Sequence, residues 1–515
     1  MALVTFTLNG RSLQAEAGRM LLPVALENGI HIPHYCYHPG LSVSGNCRMC
    51  LVEIEGVPKL QTACSTAVRE GMAARSDTDR VKRAVRHVLE FLLINHPVDC
   101  PVCDQAGECG LQEYYMSVGR YDSRFAEDKV TKAKKAAPIG RWIVLDQERC
   151  ILCSRCVRFT REVSRTGDLA IFNRGDHAEI DVMPGKTLSG RYTGNLADVC
   201  PVGALTCRDF RFKCRVWYLR RTPSVCTGCA RGCNVEIHTN PDRPQHGEAR
   251  RVMRLKPRPN PDVNGHWLCD DGRYGYGFID EGRLAHAAIR SETGLQPVRL
   301  REAIDLLGQW VEETDREHLL YVLSPKSSNE ELFAVRKLFA ETLKAGCVLP
   351  SAGMKTGDAD DLLVHEDKHP NSRGAMEIFS FLEDELLSEE ALAGLIREKS
   401  VRLLVLDRCE LPDGLPGELA AAGCRLVWVG TNRSRTAEAV DLVIPAAVHA
   451  EQDGSFVNSA GLVQHFRKAL DPLGESEPEW TLWSRLARRL GCKVNYTSAR
   501  RAHLDLRKTL PFFAG

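Results

Sequence analysis

Apolar and polar residues alternate from the start of the chain. Val4, Phe6 and Leu8 share one side of a strand, Asn9-Gly10 supplies a hairpin turn, and Leu13 begins the return. A short helix is expected over Leu22–Glu27. Pro23 falls in its first turn, where a missing N–H costs little, and Asn28-Gly29 ends it. Leu51–Ile54 reads as a strand, with Cys64 expected in the next one. Over residues 79–95 the period lengthens. Val81, Ala84, Val85, Val88, Leu89 and Leu92 fall on one helical face, Lys82, Arg83 and Arg86 on the other, and Asn95-His96-Pro97 stops the helix.

Residues 115–140 are polar and basic, with Lys129, Lys132, Lys134 and Lys135, and read as a solvated connector without chemistry of its own. Strands are expected at 142–146 and 235–238. Beyond residue 280, Leu319–Leu323 reads as a buried strand and 329–343 as a helix capped by Ser327 or Ser328. Leu403–Leu406 and Leu426–Val429 are apolar strands separated by a helix around 417–422. This β-α-β rhythm implies a parallel sheet.

The 515 residues suffice for three or four domains. A net charge of +1 gives no electrostatic case for nucleic acid or an anionic membrane surface. No run approaches 18 uninterrupted apolar residues, so no transmembrane helix is expected. MALVTFTLNG has no basic stretch leading into an apolar one. It reads as a strand rather than a secretory signal, which keeps the chain in a reducing compartment unless a folded partner carries it elsewhere.

In that compartment 21 cysteines point to metal rather than disulfides. Fifteen fall into four groups. The first is C-x10-C-x2-C-x13-C (Cys36, Cys47, Cys50, Cys64), among Gly40 and Gly45, which let backbone N–H groups approach sulfide. The second is H-x3-C-x2-C-x5-C (His96, Cys100, Cys103, Cys109). The third is C-x2-C-x2-C-x43-C-P (Cys150, Cys153, Cys156, Cys200), and the fourth C-x2-C-x3-C-x35-C (Cys226, Cys229, Cys233, Cys269). Each supplies four donors for iron. Zinc is the competing reading, strongest for the fourth group, although zinc ribbons usually pair two short knuckles and the first group has only one. Cys207, Cys214, Cys347, Cys409, Cys424 and Cys492 show no short spacing and read as core or surface residues, and His31, His34, His38 and His87 as non-ligands. No nucleophile–base pair, flavin motif or complete dinucleotide fingerprint stands out, so no catalytic residue is assigned and hydride transfer is not expected here.

The first group resembles the [2Fe–2S] ferredoxin domain that begins NADH dehydrogenase iron–sulfur subunits. The run NHPVDCPVCDQAGECGLQ resembles the one-His, three-Cys [4Fe–4S] motif of complex I and of related hydrogenase and formate dehydrogenase subunits. ERCILCSRCVRF is half of a bacterial ferredoxin motif, and Cys200 in DVCPVGAL completes it. The fourth group is similar to the [4Fe–4S] head of molybdopterin oxidoreductases, and AEQDGSFVNSAGLVQ (450–464) to their distal part. Over roughly residues 1–275 the chain thus resembles the large iron–sulfur subunits of NADH:quinone oxidoreductases (respiratory complex I).

That resemblance implies an α+β multidomain fold. Its parts would be a [2Fe–2S] β-grasp domain (1–78), a one-His, three-Cys [4Fe–4S] domain (79–140), a ferredoxin-like [4Fe–4S] domain (141–215), a molybdopterin-oxidoreductase-type [4Fe–4S] domain (216–275), and a shortened, degenerate α/β scaffold (276–515). It implies one [2Fe–2S] and three [4Fe–4S] clusters on the four donor sets. With no Cys or Ser placed for molybdenum, molybdopterin is not expected. The implied partners are an FMN flavoprotein and quinone-module subunits, in the peripheral arm on the cytoplasmic side of the inner membrane. Relay subunits of an NAD-linked hydrogenase or formate dehydrogenase share the first three motifs, and a zinc-binding scaffold is the non-enzyme alternative.

Overall fold

The computed structural model describes residues 2–514 except 244, 246–249, 352–355, 382–387 and 399–400. The chain divides into two units, Met1–Tyr218 and Leu219–Gly515. Its mix of helices and strands agrees with the α+β expectation.

The first unit begins with a five-stranded sheet in the order Arg11–Glu16, Leu3–Leu8, Ala73–Arg75, Leu51–Ile54, Val57–Thr62. The hairpin turns at Asn9 and Gly10, whose φ values of 52° and 77° match the turn type that asparagine–glycine favours. Leu3–Leu8 runs parallel to Ala73–Arg75, and the other pairings are antiparallel. Phe6, Leu8, Leu13 and Val52 bury one face against the helix Leu21–Glu27, which gives the grasp-like core. Cys64 does not lie in a strand. Val57–Thr62 ends first, and Cys64 sits in the tight turn Ala63–Ser65, its side chain fully buried.

The helix Asp79–Leu93 starts at Thr78, whose hydroxyl accepts the Val81 N–H at 3.2 Å, and buries Val81, Val85 and Leu89. The stretch expected to be a bare connector is partly structured. Helix Gly110–Val118 reaches into it, and Ala137–Pro138 pairs with Ile143–Leu145. Leu205–Cys207 completes that three-stranded sheet, and Leu169–Phe172 pairs with Glu179–Val182.

The second unit opens with an antiparallel sheet of Arg220–Val225, Asn234–Thr239 and Val252–Pro257. Its seven-stranded sheet is mixed rather than purely parallel. Gly346–Val348, Leu319–Val322, Leu403–Asp407, Arg425–Gly430 and Leu442–Pro445 are parallel, and the hairpin Ala287–Ser291/Gly294–Val298 joins antiparallel at Leu442–Pro445. Alternate residues of the central strands enter opposite cores: Leu319 and Tyr321 one, Leu320 and Val322 the other. Covering both faces explains the unbroken apolar runs.

Ser328 caps helix Asn329–Val335, with Glu331 closing a capping box. The single helix expected to 343 instead widens at Arg336–Leu343, where Arg336 meets Glu341 at 2.8 Å and Thr342 bonds the Lys337 carbonyl at 2.7 Å, both five residues apart.

Candidate metal centres

In the first set the loop carrying Cys36, Cys47 and Cys50 turns through left-handed backbone at Gly45 and Arg48. Cys36, Cys50 and Cys64 are buried, and Cys47 is partly so. Hydrogen bonds link the four thiols in a chain. Cys36 accepts from Cys47 and then Cys64, and Cys50 from Cys64, which holds Cys36 and Cys50 below the usual thiol range. As donor to Cys36, Cys47 is pushed up, and so is Cys64. Backbone N–H groups of Asn46 and Met49 also reach these sulfurs.

His96, Cys100, Cys103 and Cys109 line one cavity of about 780 Å³. His96 leaves the end of the long helix, Cys100 opens a tight turn with Pro101, and Cys109 is the N-cap of Gly110–Val118. The Gln112 and Leu111 N–H groups therefore point at the Cys109 sulfur. The His96 Nδ1 atom is buried with no hydrogen-bond partner among the described residues. Burial lowers its pKa to about 4, which favours the neutral imidazole that a metal ligand requires. Arg149, 4% exposed, grips Asp99 through two bonds of 3.0 and 2.6 Å and fixes the turn between His96 and Cys100. A Cβ placed on Gly203 would lie 2.3 Å from Cys103 Sγ, so only glycine leaves this sulfur its place. Arg120, Tyr121, Phe125 and Lys129, from the supposed connector, wall the same cavity, and Lys129 bonds the Leu93 and Ile94 carbonyls at 2.9 Å each.

Cys150, Cys153, Cys156 and Cys200 close around one small cavity with Leu145, Ile151, Ile180, Val202 and Leu205. Leu152 and Ser154 take left-handed φ values of 51° and 61°, which turn the loop amides inward, and the Leu152 N–H meets Cys150 Sγ at 3.4 Å. Burial pushes all four thiols up, Cys153 to about 11. N–H groups of Val202, Leu205 and Ala204 oppose this at Cys200.

Sequence reasoning missed two arginines of this motif. Arg158 bonds the carbonyls of Cys36 and Ser42, and Arg155 those of Tyr37 and Val199. The first and third cysteine loops are thus clamped together by two cations, Arg158 buried and Arg155 half-buried. Their only signal was an arginine on either side of Cys156.

In the second unit Cys226, Cys229 and Cys233 occupy the turn between Arg220–Val225 and Asn234–Thr239, and the Cys226 N–H bonds the Cys233 carbonyl at 2.8 Å. Cys269 caps helix Asp270–Tyr274, its sulfur accepting the Gly272 N–H at 3.3 Å. A Cβ on Gly272 would lie 2.8 Å from Cys226 Sγ and 3.4 Å from Cys269 Sγ, so the two sulfurs share one cradle. Burial pushes Cys226 and Cys233 up, and Cys269 to about 11.

All four sets are thus assembled in space. Buried thiols with raised pKa values hold their protons unless a cation replaces them, and thiolate donors beside N–H groups suit iron–sulfur clusters. Of the remaining histidines, His34 bonds the Ile32 carbonyl through Nδ1, His38 accepts the Gly40 N–H, and His87 lines the cavity of the second set. A further cavity of about 510 Å³ lies at the carboxyl ends of the parallel strands, beside Cys226. Lys326, Arg408, Trp428 and Arg433 are among the residues that line it, and the sequence patterns had not pointed to it.

Five family models match: the 2Fe-2S iron-sulfur cluster binding domain over residues 1–79, the NADH-ubiquinone oxidoreductase-G iron-sulfur binding region over 86–124, and the NADH-quinone oxidoreductase subunit 3 ferredoxin-like domain over 140–206. The molybdopterin oxidoreductase Fe4S4 domain matches 219–281, and molybdopterin oxidoreductase 420–489. The G subunit of the NADH-quinone oxidoreductase of Rickettsia conorii is 35% identical over 336 residues, 65% of this chain and 49% of that protein. The mitochondrial NADH dehydrogenase [ubiquinone] iron-sulfur protein 1 of Solanum tuberosum is 38% identical over 331 residues, 64% of this chain and 44% of the relative. The chain spans about half the length of the curated relatives it matches. A chain of an NAD+-reducing [NiFe]-hydrogenase crystal structure aligns at 32% identity over 41% of this chain and 90% of its own, with a TM-score of 0.37.

Proposed function

This chain is a homologue of the G subunits of NADH-quinone oxidoreductases, and from that premise we propose that it is an electron-relay subunit of such a complex. Cys36, Cys47, Cys50 and Cys64 would hold a [2Fe–2S] cluster. His96 with Cys100, Cys103 and Cys109, Cys150 with Cys153, Cys156 and Cys200, and Cys226 with Cys229, Cys233 and Cys269 would each hold a [4Fe–4S] cluster. The observation that carries this reading is the buried His96 Nδ1, without a hydrogen-bond partner among the described residues, at a cavity that also takes three cysteines. Most buried side-chain nitrogens have a hydrogen-bond partner.

Such clusters supply one-electron chemistry. The residues of the chain hold the ligand sulfurs in place and aim N–H groups at them. The Leu111 and Gln112 amides at Cys109, and the Val202, Ala204 and Leu205 amides at Cys200, favour added negative charge on the sulfurs. Arg155 and Arg158 place positive charge by the first loop. Electrons would arrive from an FMN flavoprotein and leave toward quinone-module subunits in the peripheral arm, on the cytoplasmic side of the membrane. None of the described helices is long and apolar enough to cross a bilayer. The five-module partition read from the sequence belongs to this proposal.

Anaerobic purification of the tagged chain from its native cells, with iron and sulfide analysis, tests both parts. Four clusters require about 14 iron atoms per chain, and a zinc scaffold holds almost none. Co-purification of a flavoprotein and quinone-module subunits supports the complex I assignment. A hydrogenase or molybdopterin subunit in their place overturns it and leaves the clusters standing.

A further inference from the structure

Glu330, His465 and His503 belong to none of the cysteine sets, yet their carboxylate and imidazole donor atoms all lie within 4.8 Å of one another. Three regular elements bring them together. Glu330 is in the first turn of helix Asn329–Val335, His465 is on strand Val463–Phe466, and His503 is on helix Ala499–Thr509. Ser455 is the cross-strand partner of His465, and it fixes the carboxylate. Its N–H donates to Glu330 Oε2 at 2.8 Å and its hydroxyl to Oε1 at 2.7 Å. Glu330 is 1% exposed, and its two bonds from Ser455 hold the carboxylate in one place. His503 Nδ1 lies 2.9 Å from Oε1, and the two imidazole rings stand 4.8 Å apart at 71°. His465 is exposed and His503 half-buried, which leaves the group open to solvent on one side.

We propose that Glu330, His465 and His503 form a binding site for a divalent transition-metal ion of the zinc class. Two imidazoles and one carboxylate are donors that such ions prefer, and three protein donors leave a fourth, solvent-facing position. Donors bound at about 2.0–2.1 Å in tetrahedral geometry sit roughly 3.3 Å apart, so Glu330 and His503 need separate by only a few tenths of an ångström. The metal takes the place of the hydrogen between His503 Nδ1 and Glu330 Oε1, and His503 carries its one N–H on Nε2 instead, so it binds as a neutral imidazole. Positive charge on Arg467 and Arg507 acts on His465 and opposes the cation. An occupied site ties the C-terminal helix to the hairpin and to the capped helix. It needs no cluster elsewhere in the chain and is independent of the relay reading.

The cluster-loaded full chain, stripped of loose metal with a mild chelator, is incubated with zinc chloride and gel-filtered. Zinc is counted by elemental mass spectrometry, with iron measured in the same sample. Wild type should retain one more zinc per chain than His465→Ala or His503→Gln at equal iron. The glutamine can still donate to Glu330, and His465 is exposed, so both variants should fold. Zinc-edge X-ray absorption of the wild type should show nitrogen and oxygen at about 2.0–2.1 Å without sulfur at about 2.3 Å. Equal zinc in wild type and both variants, or a sulfur shell, overturns the site.

Discussion

Gly203→Ala tests the second ligand set through a single methyl group. Gly203 has an ordinary backbone conformation, since it is absent from the positive-φ glycines, so alanine costs nothing in φ. The cost is local. The new Cβ would stand 2.3 Å from Cys103 Sγ and 3.4 Å from Arg149 Cδ and Gln105 Cβ. Favourable contacts begin at about 3.5 Å, so the sulfur must retreat by roughly 1.2 Å. Metal sites accept deviations of about 0.2 Å, several-fold less. Cys103 therefore either rotates away from His96, Cys100 and Cys109 or displaces Gly203 and the adjoining loop. Overpacking of this kind typically costs about 1–3 kcal/mol, which a folded unit survives. The expected result is a folded protein whose iron falls from about 14 to about 10 per chain, with loss of one [4Fe–4S] signal by electron paramagnetic resonance and retention of the [2Fe–2S] signal. Full iron with unchanged signals would refute the placement of Cys103 as a ligand.

His96→Cys should keep a cluster but lower its midpoint potential, because a fourth thiolate adds negative charge; a redox titration that finds no shift removes His96 from the ligand set. Arg158→Met leaves the Cys36 and Ser42 carbonyls without their buried donor and should cost about 2–3 kcal/mol in denaturant unfolding while lowering the [2Fe–2S] potential. A potential that stays put would show that the clamp is only mechanical. His449 is driven down to about 4 by burial, so the unfolded chain binds its proton more readily. Its contribution is complete above about pH 6.5 and drains away as pH falls toward 4, by at most about 3 kcal/mol. His449→Gln should flatten the melting temperature across that window, and an unchanged slope would contradict the shift.

The ligand sets were legible because three of the four donors in each lie within a short stretch, or in the first set within one loop, and spacing constrains chemistry there. What spacing could not show is who stands opposite. Gly203 matters because Cys103, one hundred residues earlier, presses against it. Arg155 and Arg158 matter because they reach carbonyls more than one hundred residues away. The basic stretch 115–140 looked solvated because it is polar and rich in lysine. Lys129 and Lys134 are nevertheless spent on helix-end carbonyls and on Asp181, and Tyr121 and Phe125 wall a cavity. Composition reports polarity, and polarity alone does not separate a free cation from one that caps a helix.

The second unit shows the same limit at the level of the sheet. Its parallel strands were readable because apolar runs buried on both faces leave no alternation to mistake. The end of Leu403–Asp407 was not. Asp407 and Arg408 look like an ordinary polar exit into a loop. Yet Asp407 is fully buried, and Arg408 takes a left-handed φ of 47° and reaches Asp407, Glu479 and Glu331 at 2.9, 2.5 and 3.7 Å. One guanidinium thus serves three buried carboxylates. Burial and neighbouring negative charge push Glu479 well up, and burial raises Asp407 to about 6. Such a cluster contributes little to stability that apolar packing would not, while loss of the arginine would leave several kcal/mol of uncompensated charge. Its effect is geometric. It holds Arg408 and Glu331 at the floor of the cavity beside Cys226, where apolar packing would have closed the strand ends.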